Sequence, residues 1–218
     1  MNLNIHKKNK SSFIKMIVYL FGIILSALGV NVLLRSALGA GAWDTVTNNL
    51  SILASISLGT ASALVNVVIM AFVVIYNKNA KFFLVSIPIV GIALAIDFWD
   101  IVVFSDFYPN LLWVRGLFYI GGLLVLTLGL AMMIVTKYPA MVFDELTLSL
   151  MRLFKSKSFF ATRIGIELFA IVLATGFGFW AGIGFGAVNL GSLILALIIG
   201  PTIAFQLKWL NKWPQKAV

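Results

Sequence analysis

Six stretches of this chain run for about 20 residues each with almost no charge, at 13–34, 58–76, 82–104, 116–136, 159–180 and 190–207. In a helix that length covers about 30 Å, the thickness of bilayer hydrocarbon. Lipid offers no hydrogen bonds, so each such run must satisfy its backbone internally and is expected to be a helix. The first run exceeds the roughly 7–15-residue apolar core of a cleavable signal and is read as a retained span. Charged residues make up 11% of the 218, against about 25% in soluble domains. The expected fold class is an all-α integral membrane protein with six transmembrane helices.

The net charge of +9 would suggest nucleic acid in a soluble protein. Here the basic residues fall between spans, where the positive-inside rule accounts for them, so nucleic-acid binding is not expected. With the N-terminus inside, the inner segments carry Lys7, Lys8, Lys10, Lys15, Lys78, Lys81, Lys137, Arg152, Lys155, Lys157, Lys208, Lys212 and Lys216. The outer flanks carry Arg35 and Arg115, and Arg163 lies just inside the fifth span. Both termini are therefore expected on the cytoplasmic side of a cell (plasma) membrane.

A second pattern divides the chain. Displaced by 100, residues 19–50 align with 119–150 without a gap, matching Tyr19/Tyr119, Gly22/Gly122, Leu28/Leu128, Gly29/Gly129, Ala40/Ala140, Asp44/Asp144, Thr47/Thr147 and Leu50/Leu150. Each copy has three spans, an odd number, which sets the two halves in opposite orientations. That is an inverted-topology repeat, a plan recurrent among secondary transporters. The expected organisation is a tail at 1–12, repeat one at 13–104, an outer linker at 105–115, repeat two at 116–207 and a tail at 208–218. In each half the first span ends in a helix-breaking stretch, around Gly39–Gly41 and at Pro139. A short amphipathic helix follows, at 43–53 and 143–153. In the first of these Asp44, Thr47, Asn48 and Ser51 share a face.

The Leu-Gly…Trp-Asp signature at 38–44, the Ser57/Gly59/Thr60/Ala61 opening of span two and Gly200-Pro201 in the last span resemble the YczE/YitT group of bacterial multi-pass membrane proteins. The likeness covers most of the chain. It implies a fold and supplies no activity or site residues. Where members have a proline before Trp-Asp, this chain has Ala42.

Few residues are available for chemistry. Cysteine is absent and the single histidine, His6, lies in the polar tail. Thiol and histidine nucleophiles and the usual zinc sites are thereby excluded, and neither an enzyme, a metal nor a cofactor is expected. Asp44 and Asp144, each followed by a threonine at the third position (Thr47, Thr147), read either as helix caps or as solute contacts. In this topology they fall near opposite faces. Glu167 lies about 13 Å in from Ser158, where a charge costs at least about 2.5 kcal/mol and marks a functional site by default. Arg163, four residues earlier, shares its face and can pair with it. With one inserted residue the repeat aligns Ser57 with Ser158, Ser62 with Arg163 and Asn66 with Glu167, which adds Asn66 to the candidates. Asp97 and Asp100 read as interfacial and Asn31 as a partner for a neighbouring helix. Gly178, Gly182 and Gly186, spaced by four, suggest a helix-contact face for a homo-oligomer. Trp99, Trp113, Trp180, Trp209 and Trp213 fall near span ends, as an aromatic belt would.

The expected function is transport or facilitated passage of an unidentified small solute through a site at the repeat interface. Glu167 is the candidate proton carrier and Arg163 the contact for an anionic substrate. The other class is a non-transporting accessory, scaffold or regulatory protein, which would have a sealed core with Glu167 fully paired.

Overall fold

A computed structural model describes residues 2–139 and 141–212. Eight α-helices follow one another: α1 (Asn2–Ser36), α2 (Ala42–Ala54), α3 (Leu58–Asn77), α4 (Ser86–Asp97), α5 (Leu112–Val135), α6 (Phe143–Phe154), α7 (Phe159–Trp180) and α8 (Leu190–Lys212). A 3-10 turn (Ala80–Val85) leads into α4, and a π-helical stretch (Phe98–Phe104) extends it. Six segments are long and apolar enough to cross a bilayer, and they coincide with the six runs read from the sequence. The first span sits on a longer helix than expected, because α1 already begins at Asn2. Ala140, Trp213 and Lys216 lie outside the described residues, as do the side chains of His6, Lys7, Lys8, Lys10, Lys81 and Lys212.

The core is an antiparallel pair, α1 against α5, brought together by small residues. A Cβ on Gly22 would lie 2.8 Å from the Gly129 carbonyl oxygen, and one on Gly122 would lie 2.9 Å from the Leu33 backbone nitrogen. Gly29 abuts the Leu126 backbone, and Gly129 abuts Ser26. Between lipid-exposed helices only packing and hydrogen bonds drive association, so removing side chains at the contact is what lets the backbones close. Asn31 donates to the Ile96 carbonyl at 3.2 Å, joining α1 to α4 as expected of a lone polar group in a span.

The same local geometry recurs about 100 residues apart. Ser36 and Thr136 each turn a hydroxyl onto the carbonyl three residues back, and each accepts from the N–H two residues on. Ala37 and Lys137 follow with φ of 51° and 62°, ending α1 and α5 in the left-handed region. Ser55 and Lys155 end α2 and α6 likewise, at 53° and 52°. Ser57 and Ser158 cap α3 and α7 by accepting from Thr60 N–H and Ala161 N–H.

The short helices re-enter the bundle rather than lie along it. After α1 the chain turns back beside α8. Leu38 accepts from Gly191 N–H, Ala40 N–H donates to Ser192 Oγ, and Gly41 borders Ile199. Gly191 to Ile199 is eight residues, or about 12 Å of helix. α2 then runs outward again along α7, with Ala42 and Val46 packed on Ala170 and Ala174. α6 does the same beside α3, where Val142 and Leu146 pack with Ile69, Met70 and Val73. Both short helices thus start deep in the bundle and end near its surface.

This placement corrects one expectation. Asp44 and Asp144 do not sit at opposite faces, because each begins a half-helix that starts at depth. The three glycines expected on one contact face do not share a helix. α7 ends at Trp180, so Gly182 and Gly186 belong to a turn with φ of 75° and 57°, and Gly178 and Gly186 pack inward against Asn49.

Candidate functional site

The first turns of α2 and α6 meet. Trp43 and Phe143 stack with ring centroids 5.2 Å apart, and the next residue of each helix is an aspartate. Neither aspartate makes the expected cap bond: α2 and α6 are capped at Gly41 and Val142 with no side-chain bond, and the aspartates fall three and two residues later. Their carboxylates still lie in the first turn, near the positive end of the helix dipole. Thr47 and Thr147 are buried and bond backward, each hydroxyl donating at 2.9 and 2.8 Å to the carbonyls of Trp43 and Phe143.

α7 supplies the groups that join the two half-helices. Arg163 donates through Nε to Glu167 at 3.0 Å and through its Nη1 to Asp144 at 3.0 Å. Its guanidinium also lies over the Phe143 ring, 6.0 Å from the centroid. Glu167 is 8% exposed and close enough to Asp44 for the two carboxylates to repel. Four charged residues therefore form a chain, Asp144–Arg163–Glu167 with Asp44 beyond it, in which three carboxylates face one guanidinium. Among the described residues Asp44 has no cationic partner. Trp43 Nε1 is buried beside this cluster with no hydrogen-bond partner among the described residues.

Asn66 stands apart from the chain. Its amide donates to the Ser62 carbonyl on its own helix, and it lines a small crevice with Met141 and Val142, the approach to α6. Of the seven candidate residues, the structure brings Asp44, Asp144, Arg163 and Glu167 together. Thr47 and Thr147 support their helices.

A polar pocket of about 490 Å³ opens at the other end of α2, between the end of α1, the π-helical stretch and the α7–α8 turn. Asn48 and Ser51 line it, and Asp44 is one turn deeper than Asn48 on the same stripe of α2. Arg35 and Asp100 border the pocket as a 3.0 Å ion pair, with Arg35 3% exposed and flanked by the rings of Phe104 and Tyr108. Asp100 is thus tied to a buried arginine, and Asp97 caps α3 by accepting from Ser57 Oγ and Gly59 N–H. Both are more engaged than an interfacial reading implies.

Sequence reasoning passed over Asn49. It is fully buried, donates to the Ala174 and Phe185 carbonyls and accepts from Ala187 N–H, so one side chain fastens α2 to α7 and to the turn after it. Its one available signal was its position within a helix already rich in polar residues.

Among the described residues no group of three or more His, Cys, Asp or Glu side chains is arranged to hold a metal. Fold and site together define a multi-pass helical membrane protein with a charged cluster where two half-helices meet. The chain belongs, over residues 13–208, to the family described as "Family of unknown function (DUF6198)". It is also similar to the uncharacterised protein YyaS of Bacillus subtilis (strain 168), at 29% identity over 182 residues, 83% of this chain and 90% of that one. No solved structure matches it.

Proposed function

We propose that this protein is a transporter or facilitator for a small solute, built from two inverted-topology repeats, with its central site at Asp44, Asp144, Arg163 and Glu167. The observation that carries the reading is the meeting of two half-helices by their first turns, each bringing an aspartate to a cluster bridged from α7. Discontinuous helices whose ends converge near the midplane at a repeat interface are how many secondary transporters build a binding site. The repeat is supported by the matched turns and caps, and by α1–α5 contacts that exchange under a shift of 100. Gly22 on Gly129 corresponds to Gly122 beside Gly29. The likeness to the YczE/YitT group rests on the motifs alone and adds no activity. By the Lys/Arg bias, the end bearing Lys78, Lys155 and Lys157 is cytoplasmic and the pocket at Asn48 and Ser51 faces outward.

The charges favour protons or cationic solutes over anions. Arg163 is already engaged by two carboxylates, while among the described residues Asp44 has no cation and Trp43 Nε1 no acceptor. Glu167 paired to Arg163 is what an accessory protein with a sealed core would also have. Asp44, unpaired at the foot of a polar stripe, is what such a protein would not need. The test is uptake in proteoliposomes carrying a pH-reporting dye, screened against cationic and neutral solutes. Solute-dependent proton movement that is lost in Asp44→Asn supports the reading. Solute uptake that Asp44→Asn and Glu167→Gln leave unchanged would place the site elsewhere.

A further inference from the structure

One large cavity is not used by the charged cluster. It is a groove of about 910 Å³ whose walls are α3 and α7, whose floor is α2 and α6, and which opens sideways. Val68 and Phe169 form its rim and are 68% and 62% exposed, toward the side where a bilayer would lie. Phe72 and Leu173 line the walls, and Leu50 and Leu150 the floor. From Thr162 to Leu173 the groove follows eleven residues of α7, about 16 Å, which is more than half the hydrocarbon thickness. An apolar slot of that length, reached from the membrane, suits an extended hydrocarbon chain.

One end of the groove is different. Ser156 and Thr162 line it, and Lys155 and Lys157 flank Ser156 on the exposed turn between α6 and α7. Neither lysine forms an ion pair among the described residues. An apolar slot with a hydroxyl-lined end, next in the chain to two lysines that pair with no carboxylate among the described residues, matches a molecule with an acyl tail and a negative head. A second copy of this chain would fill the slot but brings no such complement, since its own surface at this end is also basic.

We infer that the groove between α3 and α7 is a binding site for an anionic phospholipid, with an acyl chain along Phe72 and Phe169 and the phosphate between Lys155 and Lys157. The inference is independent of transport. It requires only that the six spans lie in a bilayer.

Gly165 provides a clean probe, because it lines the groove and a Cβ there meets nothing within 4 Å. Gly165→Phe puts a ring into the slot from a position where its Cβ has room, and removes a helical glycine, which favours folding. The measurement is native mass spectrometry of the full chain released from vesicles of equal phosphatidylglycerol and phosphatidylcholine. Wild type is expected to retain phosphatidylglycerol over phosphatidylcholine by roughly tenfold. Gly165→Phe should lose the retained lipid. Lys155→Asn, which keeps a residue tolerant of the left-handed φ of 52° that ends α6, together with Lys157→Gln at an exposed position, should keep lipid and lose the preference. Lipid retained undiminished in Gly165→Phe, or taken without headgroup preference by wild type, overturns the proposal. So does a lipid-free dimer that Gly165→Phe dissociates, which would assign the groove to a second copy.

Discussion

Trp43 and Phe143, one hundred residues apart, stack face to face at 5.2 Å with their planes 27° from parallel. Each is at the start of a half-helix, and each precedes the aspartate that its helix contributes to the cluster. The contact therefore fixes the distance between the two first turns, and with it the geometry of every charge between them.

Arg163 holds two carboxylates, so its loss should cost more than the loss of either partner. Arg163→Gln leaves Glu167 buried and uncompensated, and about 3–5 kcal/mol of stability should go with it. The double variant with Glu167→Gln should recover most of that, because no buried charge is left alone. A double-mutant cycle from denaturant unfolding in detergent measures the coupling. Additive costs would mean that the pair is solvated.

Asn49 tests how α2 is fastened. Asn49→Ala leaves the Ala174 and Phe185 carbonyls and the Ala187 N–H without their partner, at about 1–3 kcal/mol for each group that stays dry. Unfolding should lose several kcal/mol, and hydrogen exchange should quicken in α2 and the 181–189 turn while α1 and α5 stay protected. Uniform exchange across the protein would mean that α2 is not an independent element.

Much of this was legible in the residues. Hydropathy located all six spans, because length and charge depletion are what a bilayer selects. The spacing of Arg163 and Glu167 gave their ion pair, since side chains four apart on a helix are neighbours. Depth was not legible. The stretch from Leu38 to Asp44 reads as a broken helix end whether it lies on the surface or folds back beside α8, and only Gly191 and Ser192 decide that. The closeness of Asp44 and Asp144 is hidden for the same reason: crossing number fixes which face a span ends on, and says nothing of a half-helix that turns around inside. Arg35 read as a flanking charge because topology rules count lysines and arginines without regard to burial, whereas it is held by Asp100 and two rings.

The most direct test of the central claim uses the absence of cysteine from the chain. Trp43→Cys with Phe143→Cys introduces two thiols where the half-helices meet, and a short bis-thiol cross-linker applied in membranes reports on their distance. The account predicts an intramolecular cross-link, seen by intact mass as monomer plus one linker. Labelling of each single cysteine on its own with no cross-link in the pair would contradict it, and would separate the two aspartates once more.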